Sequence, residues 1–287
     1  MPILLFNQNL DIFNRPFMDG RAINLFKFCF MRKIYSFFIT IILSASVFAQ
    51  NAGSYSFLTN STSSLELDIN SNSIDMTSGT TQLIAAGSDD VASTVNNIGF
   101  TFTFNNTNFT TFSVNSNGFL GLGSTAIVTS TSVNGSSTRP VIAAFGGDHA
   151  TVTSAGANSK VHFKLFGTAP NRVLVIEWSN MKFDYTSYAS ATTGDGTFQV
   201  LLYETTGIVE LKYGAMSVAT AYSTGPVIGL SNGTSSGNFN SITSATNTIT
   251  TNGTAWVNNS YAAGQITNLH SSSEGSRRLY RFTPPAA

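Results

Sequence analysis

The chain has 287 residues and a formal net charge of zero, and only 10% of its residues are charged, against 23 Phe and 24 Gly. That balance gives no electrostatic basis for binding nucleic acid or an anionic membrane surface. It supplies ample apolar mass for a core and leaves Ser, Thr and Asn to make the polar surface.

Met31-Arg32-Lys33, the apolar run Ile34 to Leu43, and Val47-Phe48-Ala49 before Gln50 have the three parts of a secretory signal peptide, with cleavage between Ala49 and Gln50. The apolar run is shorter than the ~20 residues a membrane span needs, which argues against an anchor. Residues 1–30 lie upstream of this basic start. The sequence therefore predicts translation from Met31, with residues 1–30 an over-extended reading frame, 31–49 the leader, 50–284 a single domain and 285–287 the start of a linker or the C-terminal end. Removing 1–49 leaves 9 basic and 12 acidic residues, a net charge of −3, and takes away Cys29, the one cysteine. An exported chain without disulfide or thiol chemistry suits a bacterial envelope or secreted protein.

Tyr55 to Leu58 predicts a first strand, Ser61 to Gly79 is polar and weakly patterned, and Thr80 to Ala86 predicts a second short strand before a Ser88-Asp89-Asp90 turn. Gly99 to Gly123, GFTFTFNNTNFTTFSVNSNGFLGLG, carries the densest pattern. Phe100, Phe102 and Phe104 alternate with threonines, as a half-buried strand requires. After the polar tetrad Asn105 to Asn108 a second strand resumes, and Ser116-Asn117-Gly118 turns the chain again. A two-residue Asn117-Gly118 loop would split the apolar side chains between two faces. A three-residue loop, Ser116 to Gly118, pairs Val114 with Leu120 and Phe112 with Leu122 and keeps one face apolar, with Gly118 left-handed.

Val141 to Phe145 predicts a short apolar strand, and Val161 to Leu165 an alternating one with His162 on its outer face. Val173 to Trp178 is apolar on both parities, which places it centrally with both faces covered. Phe198 to Tyr203 and Ile208 to Tyr213 predict a hairpin around Glu204 to Gly207, pairing Phe198 with Tyr213, Val200 with Leu211 and Leu202 with Val209, so that Gln199 faces Lys212 outside. Val227 to Leu230 and Leu279 to Phe282 read as closing strands. Many short strands with Gly and Asn turns and no helical periodicity predict an all-β chain, an antiparallel two-layer β-sandwich, jelly-roll-like, rather than a transmembrane barrel.

The ordered series GFTFTFNNTNFTTFSVNSNGFLGLG, PVIAAFGGD (Pro140 to Asp148), APNRVLVIEWSNM (Ala169 to Met181) and FQVLLYETTGIVELKYG (Phe198 to Gly214) resembles the N-terminal β-sandwich of secreted Bacteroidota surface proteins associated with type IX secretion. That module is similar in pattern to the nidogen-like extracellular domain. The resemblance covers roughly Tyr55 to Pro284 and implies a secreted or cell-surface module. The sequence departs from it at Gly146 and Gly147, which intervene before Asp148, and in showing no sorting domain after Phe282.

Motifs for chemistry are weak. Gly233-Thr234-Ser235-Ser236-Gly237 has the letters of a nucleophile elbow but lies in a Ser/Gly/Asn loop with no helix after it. Asp68, Asn70 and Asn72 imitate the first half of a calcium loop, yet Ser73 replaces the turn glycine and Gly79 stands at the bidentate glutamate position. His149, His162 and His270 lack ligand spacing, and no cofactor is expected. A non-catalytic surface module acting in adhesion or as a stalk is the leading expectation, with a glycan or another surface protein as partner. The alternatives are a lectin-like carbohydrate-binding sandwich and, third, a glycoside hydrolase, for which no pair of carboxylates stands out. The expected ligand-binding residues lie in and beside the loop Ser179 to Thr197: Tyr185 and Tyr188 as flat apolar faces, Asp184 and Asp195 as acceptors, and Trp178 at the loop root.

Overall fold

In the computed structural model the described residues are 52–129, 140–154, 158–183, 185–218, 221–222, 225–232, 239–253, 255–263, 266, 269 and 278–286. The leader with its Ala49-Gln50 junction, Asp184, His270 and the Gly233 to Gly237 motif lie outside them. Among the described residues fifteen strands pair antiparallel into two sheets. The first has the order β1 (Ser56–Asn60), β15 (Leu279–Thr283), β11 (Val209–Met216), β10 (Gly196–Tyr203), β9 (Val173–Lys182), β8 (Lys160–Phe166) and β2 (Thr81–Ile84). A short β7 (Ala150–Thr151) extends the β9 edge past the end of β8. The second has the order β14 (Thr248–Gly253), β13 (Phe239–Thr243), β12 (Val227–Ser231), β6 (Val141–Gly146), β5 (Phe119–Leu122), β4 (Thr107–Val114) and β3 (Asn96–Phe104). Neither closes into a barrel, and no helix among the described residues is long and apolar enough to cross a membrane.

The period-2 patterns build the layers. Phe100, Phe102 and Phe104 of β3 are buried while the intervening residues are exposed. These rings, with Phe112, Leu120, Leu122, Ile142 and Ile228, meet Leu174, Ile176, Trp178, Phe198, Val200, Leu211 and Phe282 of the other sheet in one core. Two hydrogen bonds lock the layers together. Trp178 Nε1 donates to the Asn115 carbonyl at 2.9 Å, and the Tyr213 hydroxyl donates to the Ala144 carbonyl. As the alternation predicts, Val114 pairs with Leu120 and Phe112 with Leu122, and Phe198, Val200 and Leu202 pair with Tyr213, Leu211 and Val209.

Three features differ from the expectation. The β3–β4 turn is not the tetrad but Asn105-Asn106 alone, with φ of 50° and 58°, since asparagine tolerates the left-handed region that a two-residue hairpin turn demands. Thr107 and Asn108 thereby join the ladder. The strands β13 and β14, FNSIT and TITTNG, carry too few apolar side chains to announce themselves. Finally, the weakly patterned segment 61–80 is a cover. Its Ile69, Ile74 and Met76 pack on Val173, Val175, Leu201 and Tyr203, the outward side chains of the first sheet.

Candidate functional site

Because β8, β9, β10 and β11 are in register, one outward row crosses them: His162 opposite Glu177, Glu177 opposite Gln199, and Gln199 opposite Lys212. A solvated sheet face tolerates such a row. Here the 61–80 cover buries it, leaving His162 and Gln199 only 1% exposed and Glu177 only 8%. Buried polar groups must pair, and most do. His162 Nε2 lies 2.9 Å from Glu177 Oε1, and its Nδ1 lies 2.9 Å from Thr80 Oγ1. Both ring nitrogens thus have a polar partner. Gln199 Nε2 donates to Glu177 Oε2 at 2.6 Å. That contact fixes the amide's orientation, because the reverse would set a carbonyl oxygen against a carboxylate. Gln199 Oε1 is left buried with no hydrogen-bond partner.

The cover is tied down beside this row. Lys212 Nζ donates to the Leu67 carbonyl, the Ile69 amide donates to the Tyr203 hydroxyl at 2.9 Å, and Lys164 Nζ donates to the carbonyls of Asp75 and Ser78 at 2.9 and 2.8 Å. The Tyr203 hydroxyl donates to Glu210 at 2.6 Å, and Arg281 Nε donates to the same carboxylate at 2.7 Å. Burial lowers the pKa of Lys212, opposed by its neighbour Glu210. Desolvation and the Glu210 charge push the Tyr203 hydroxyl far up, so it remains a donor.

Between cover and sheet lies a half-open cavity of about 670 Å³. His162, Glu177 and Gln199 form its floor. Leu65, Ile74, Met76 and Met216 give it an apolar side, and Glu66, Asp75 and Asp195 add carboxylates. Among the described residues, the lining has no Lys or Arg and no Phe, Tyr or Trp. Hydrogen bonds from Thr77 and Ser78 hold the Asp75 pKa down to about 2, so this carboxylate is ionised at neutral pH. Thr80, which bonds His162, does not line the cavity.

The residues expected to bind ligand separate into three places. Trp178 is fully buried, stacked on Phe198 at 5.3 Å, and corrects the expectation of a loop-root platform: it belongs to the core. Tyr185 is 43% exposed and Tyr188 half-buried on the outer part of the loop, with the short 3-10 turn Tyr185–Ser187 between strands β9 and β10. Asp195 lines the cavity, where it pairs with Lys182 Nζ at 2.9 Å and accepts from the Phe183 amide at 2.9 Å. At Asp68 the loop satisfies its own acceptor: Oδ1 takes the amides of Asn70 and Asn72, and Oδ2 takes Asn72 Nδ2.

A second cluster escaped the sequence reading. Asp89, Asp90 and Asp148 bring one carboxylate oxygen each within 4.8 Å of one another, a spacing a calcium-sized ion could bridge, and they are the one such group among the described residues. Partial burial, and then the neighbouring Asp90 charge, raise the Asp89 pKa. Asp90 also accepts from Asn117 Nδ2 at 2.9 Å. The three come from a turn and a strand end some sixty residues apart, which no spacing rule would join.

Compared with known proteins, the chain matches no curated protein and no solved structure. A family model described as NIDO related matches residues 55–284.

Proposed function

The chain belongs to the NIDO-related family, and from that premise we propose that it is a non-catalytic module of the secreted or cell-surface fraction, acting by adhesion. The observation that carries this reading is the cavity on the covered sheet face. It offers shaped, acceptor-rich space, and its histidine is held by Glu177 and Thr80. Such an arrangement suits recognition better than acyl transfer or hydrolysis. The leader read in residues 31–49 supports export, and a bacterial envelope follows from the same reading. The mature protein is expected to begin at Gln50; intact mass spectrometry of material from the native host that finds residues 1–30 retained would overturn this.

The adhesion test is retention of the purified protein on the surface of intact cells and on extracellular polymers. Retention that survives washing supports the module reading, and turnover of polysaccharide substrates without retention overturns it. A glycan-binding variant of the reading is favoured by one observation, the exposed ring of Tyr185 beside Tyr188. It predicts that Tyr185→Ala and Tyr188→Ala abolish retention on a polysaccharide while leaving the melting temperature nearly unchanged.

A further inference from the structure

The two sheets end in four strands, β1 and β2 on one and β14 and β3 on the other. An edge strand exposes a row of unpaired N–H and C=O groups, and proteins protect such rows with bulges, charges, proline or a covering segment. Three of these edges carry a bulge on the edge strand itself. From Gln82 to Ile84, β2 takes two residues where β8 takes one; from Thr250 to Gly253, β14 takes three where β13 takes two; from Asn97 to Phe102, β3 takes five where β4 takes two. The β3 edge is also covered, since Arg172 Nη1 donates to the Gly99 carbonyl at 2.7 Å and the Asn105 amide donates to the Tyr55 hydroxyl at 3.3 Å. Among the described residues, β1 has none of these protections and no strand beyond it. All five of its residues, SFLTN, stay in step with β15, and none is charged or proline. Arg281, opposite Leu58, is balanced by Glu210. Leu58, at the centre of the strand, is 46% exposed.

The phase of the ladder decides which backbone groups face that edge. The Tyr203 amide donates to the Ile208 carbonyl at 3.1 Å across the β10–β11 turn. Alternating from that pair, Val209 and Leu211 turn their N–H and C=O groups to β15, Arg281 turns its own to β1, and Leu58 turns back to Arg281. Phe57 and Thr59 therefore direct theirs outward. We propose that this edge pairs with β1 of a second copy of the chain, antiparallel and about a two-fold axis through Leu58, joining two first sheets into one. Phe57 of each copy then exchanges both backbone hydrogen bonds with Thr59 of the other. The two Leu58 side chains meet on the axis as a non-hydrogen-bonded pair, with Cα atoms ~4.5 Å apart, and cover the apolar surface that each leaves exposed alone. An apolar residue at the centre of an uncharged strand is what makes the edge self-complementary. A slip of one residue would set outward backbone groups against inward ones, so the register is fixed. The inference does not depend on what the module adheres to.

A contact this small, well under ~1,200 Å², implies a dissociation constant on the order of 100 µM. The test is therefore sedimentation velocity of the full chain from about 10 µM to about 1 mM. A monomer–dimer equilibrium is expected. Leu58→Lys, which sets two like charges on the axis, should weaken it about tenfold or more and leave the melting temperature nearly unchanged. Cross-linking gives a second measurement, made in a Cys29→Ser background because Cys29 is the one cysteine. Under diamide, which takes up the two thiol hydrogens, Leu58→Cys should give a disulfide-linked dimer, because a non-hydrogen-bonded pair brings Cα atoms within disulfide range. Ser56→Cys, exposed on the same strand but opposite Asn60 in the pair, should stay monomeric. A monomer at every concentration would overturn the proposal and leave the edge to an extended segment of another protein. Equal association of the Leu58→Lys protein, or equal cross-linking through both cysteine positions, would overturn it too. Should Leu58→Lys fail to fold, the contrast between the two cysteine variants decides alone.

Discussion

Gly118 shows how one residue can hold a register. Its φ of 80° belongs to the left-handed region, and a Cβ there would run into the Phe145 carbonyl on neighbouring β6. Strain and collision act together, so Gly118→Val should lower stability by on the order of 2 kcal/mol. Coincident denaturant curves for the two proteins would show that the turn has another geometry. His149 is held with comparable firmness. Its ring is fully buried, parallel to Phe145 at 5.2 Å, with Nε2 donating to the Phe145 carbonyl at 2.8 Å. Desolvation, only partly offset by hydrogen bonds to the surrounding backbone carbonyls, lowers its pKa to about 4. The unfolded chain takes up this proton near pH 6.5. Stability is therefore complete above about pH 6.5 and is lost as pH falls toward 4, by on the order of 3 kcal/mol. Unfolding measured from pH 7 to 4.5 should show this slope, and His149→Gln should flatten it. An unchanged slope would assign the proton uptake elsewhere.

At the scale of elements, what could be read in advance was what lies in contiguous alternation. The Phe and Val/Leu strands give their faces by parity, and the Phe198 to Tyr213 hairpin follows to the residue, including Gln199 opposite Lys212. The outward aspect of His162 was also legible, but its burial was not. That depends on the 61–80 cover, whose apolar residues Ile69, Ile74 and Met76 follow neither a strand nor a helix period. The cavity was equally hidden, because its lining is gathered from the cover, β8 to β11 and the loop before β10. Trp178 was misassigned because an indole at a loop root looks alike in sequence whether it faces solvent or the opposite sheet. The cover invites a test of its own. Lys164→Met removes two hydrogen bonds that tether it, each worth about 1 kcal/mol. Hydrogen exchange at Ile69 and Ile74 should accelerate while exchange in β9 and β10 stays slow. Equal acceleration in both would mean that the cover opens only with the whole sheet.

For the whole molecule, the two sheets share one aromatic core, and each also has apolar side chains packed on its outer face: the 61–80 cover on one, and Trp256 against Phe119 and Phe239 on the other. The polar row under the cover is therefore as much an interior as the core itself. The edge of the first sheet has a different consequence. Strands β1 and β15 are neighbours, antiparallel, with Ser56 opposite Thr283 and Asn60 opposite Leu279. The domain's first and last strands thus start and finish at the same corner. Tension applied between residues 56 and 283 loads the Ser56–Thr283 pair first and opens the ladder one rung at a time, like a zipper, instead of shearing all rungs together. In single-molecule pulling through these two points the domain should yield at low force, and it should resist far more when held through Ser56 and Asn247. If the first geometry proves the stronger, the β1–β15 ladder does not set the mechanical limit. A module built this way withstands load when gripped by its face and peels when strung end to end.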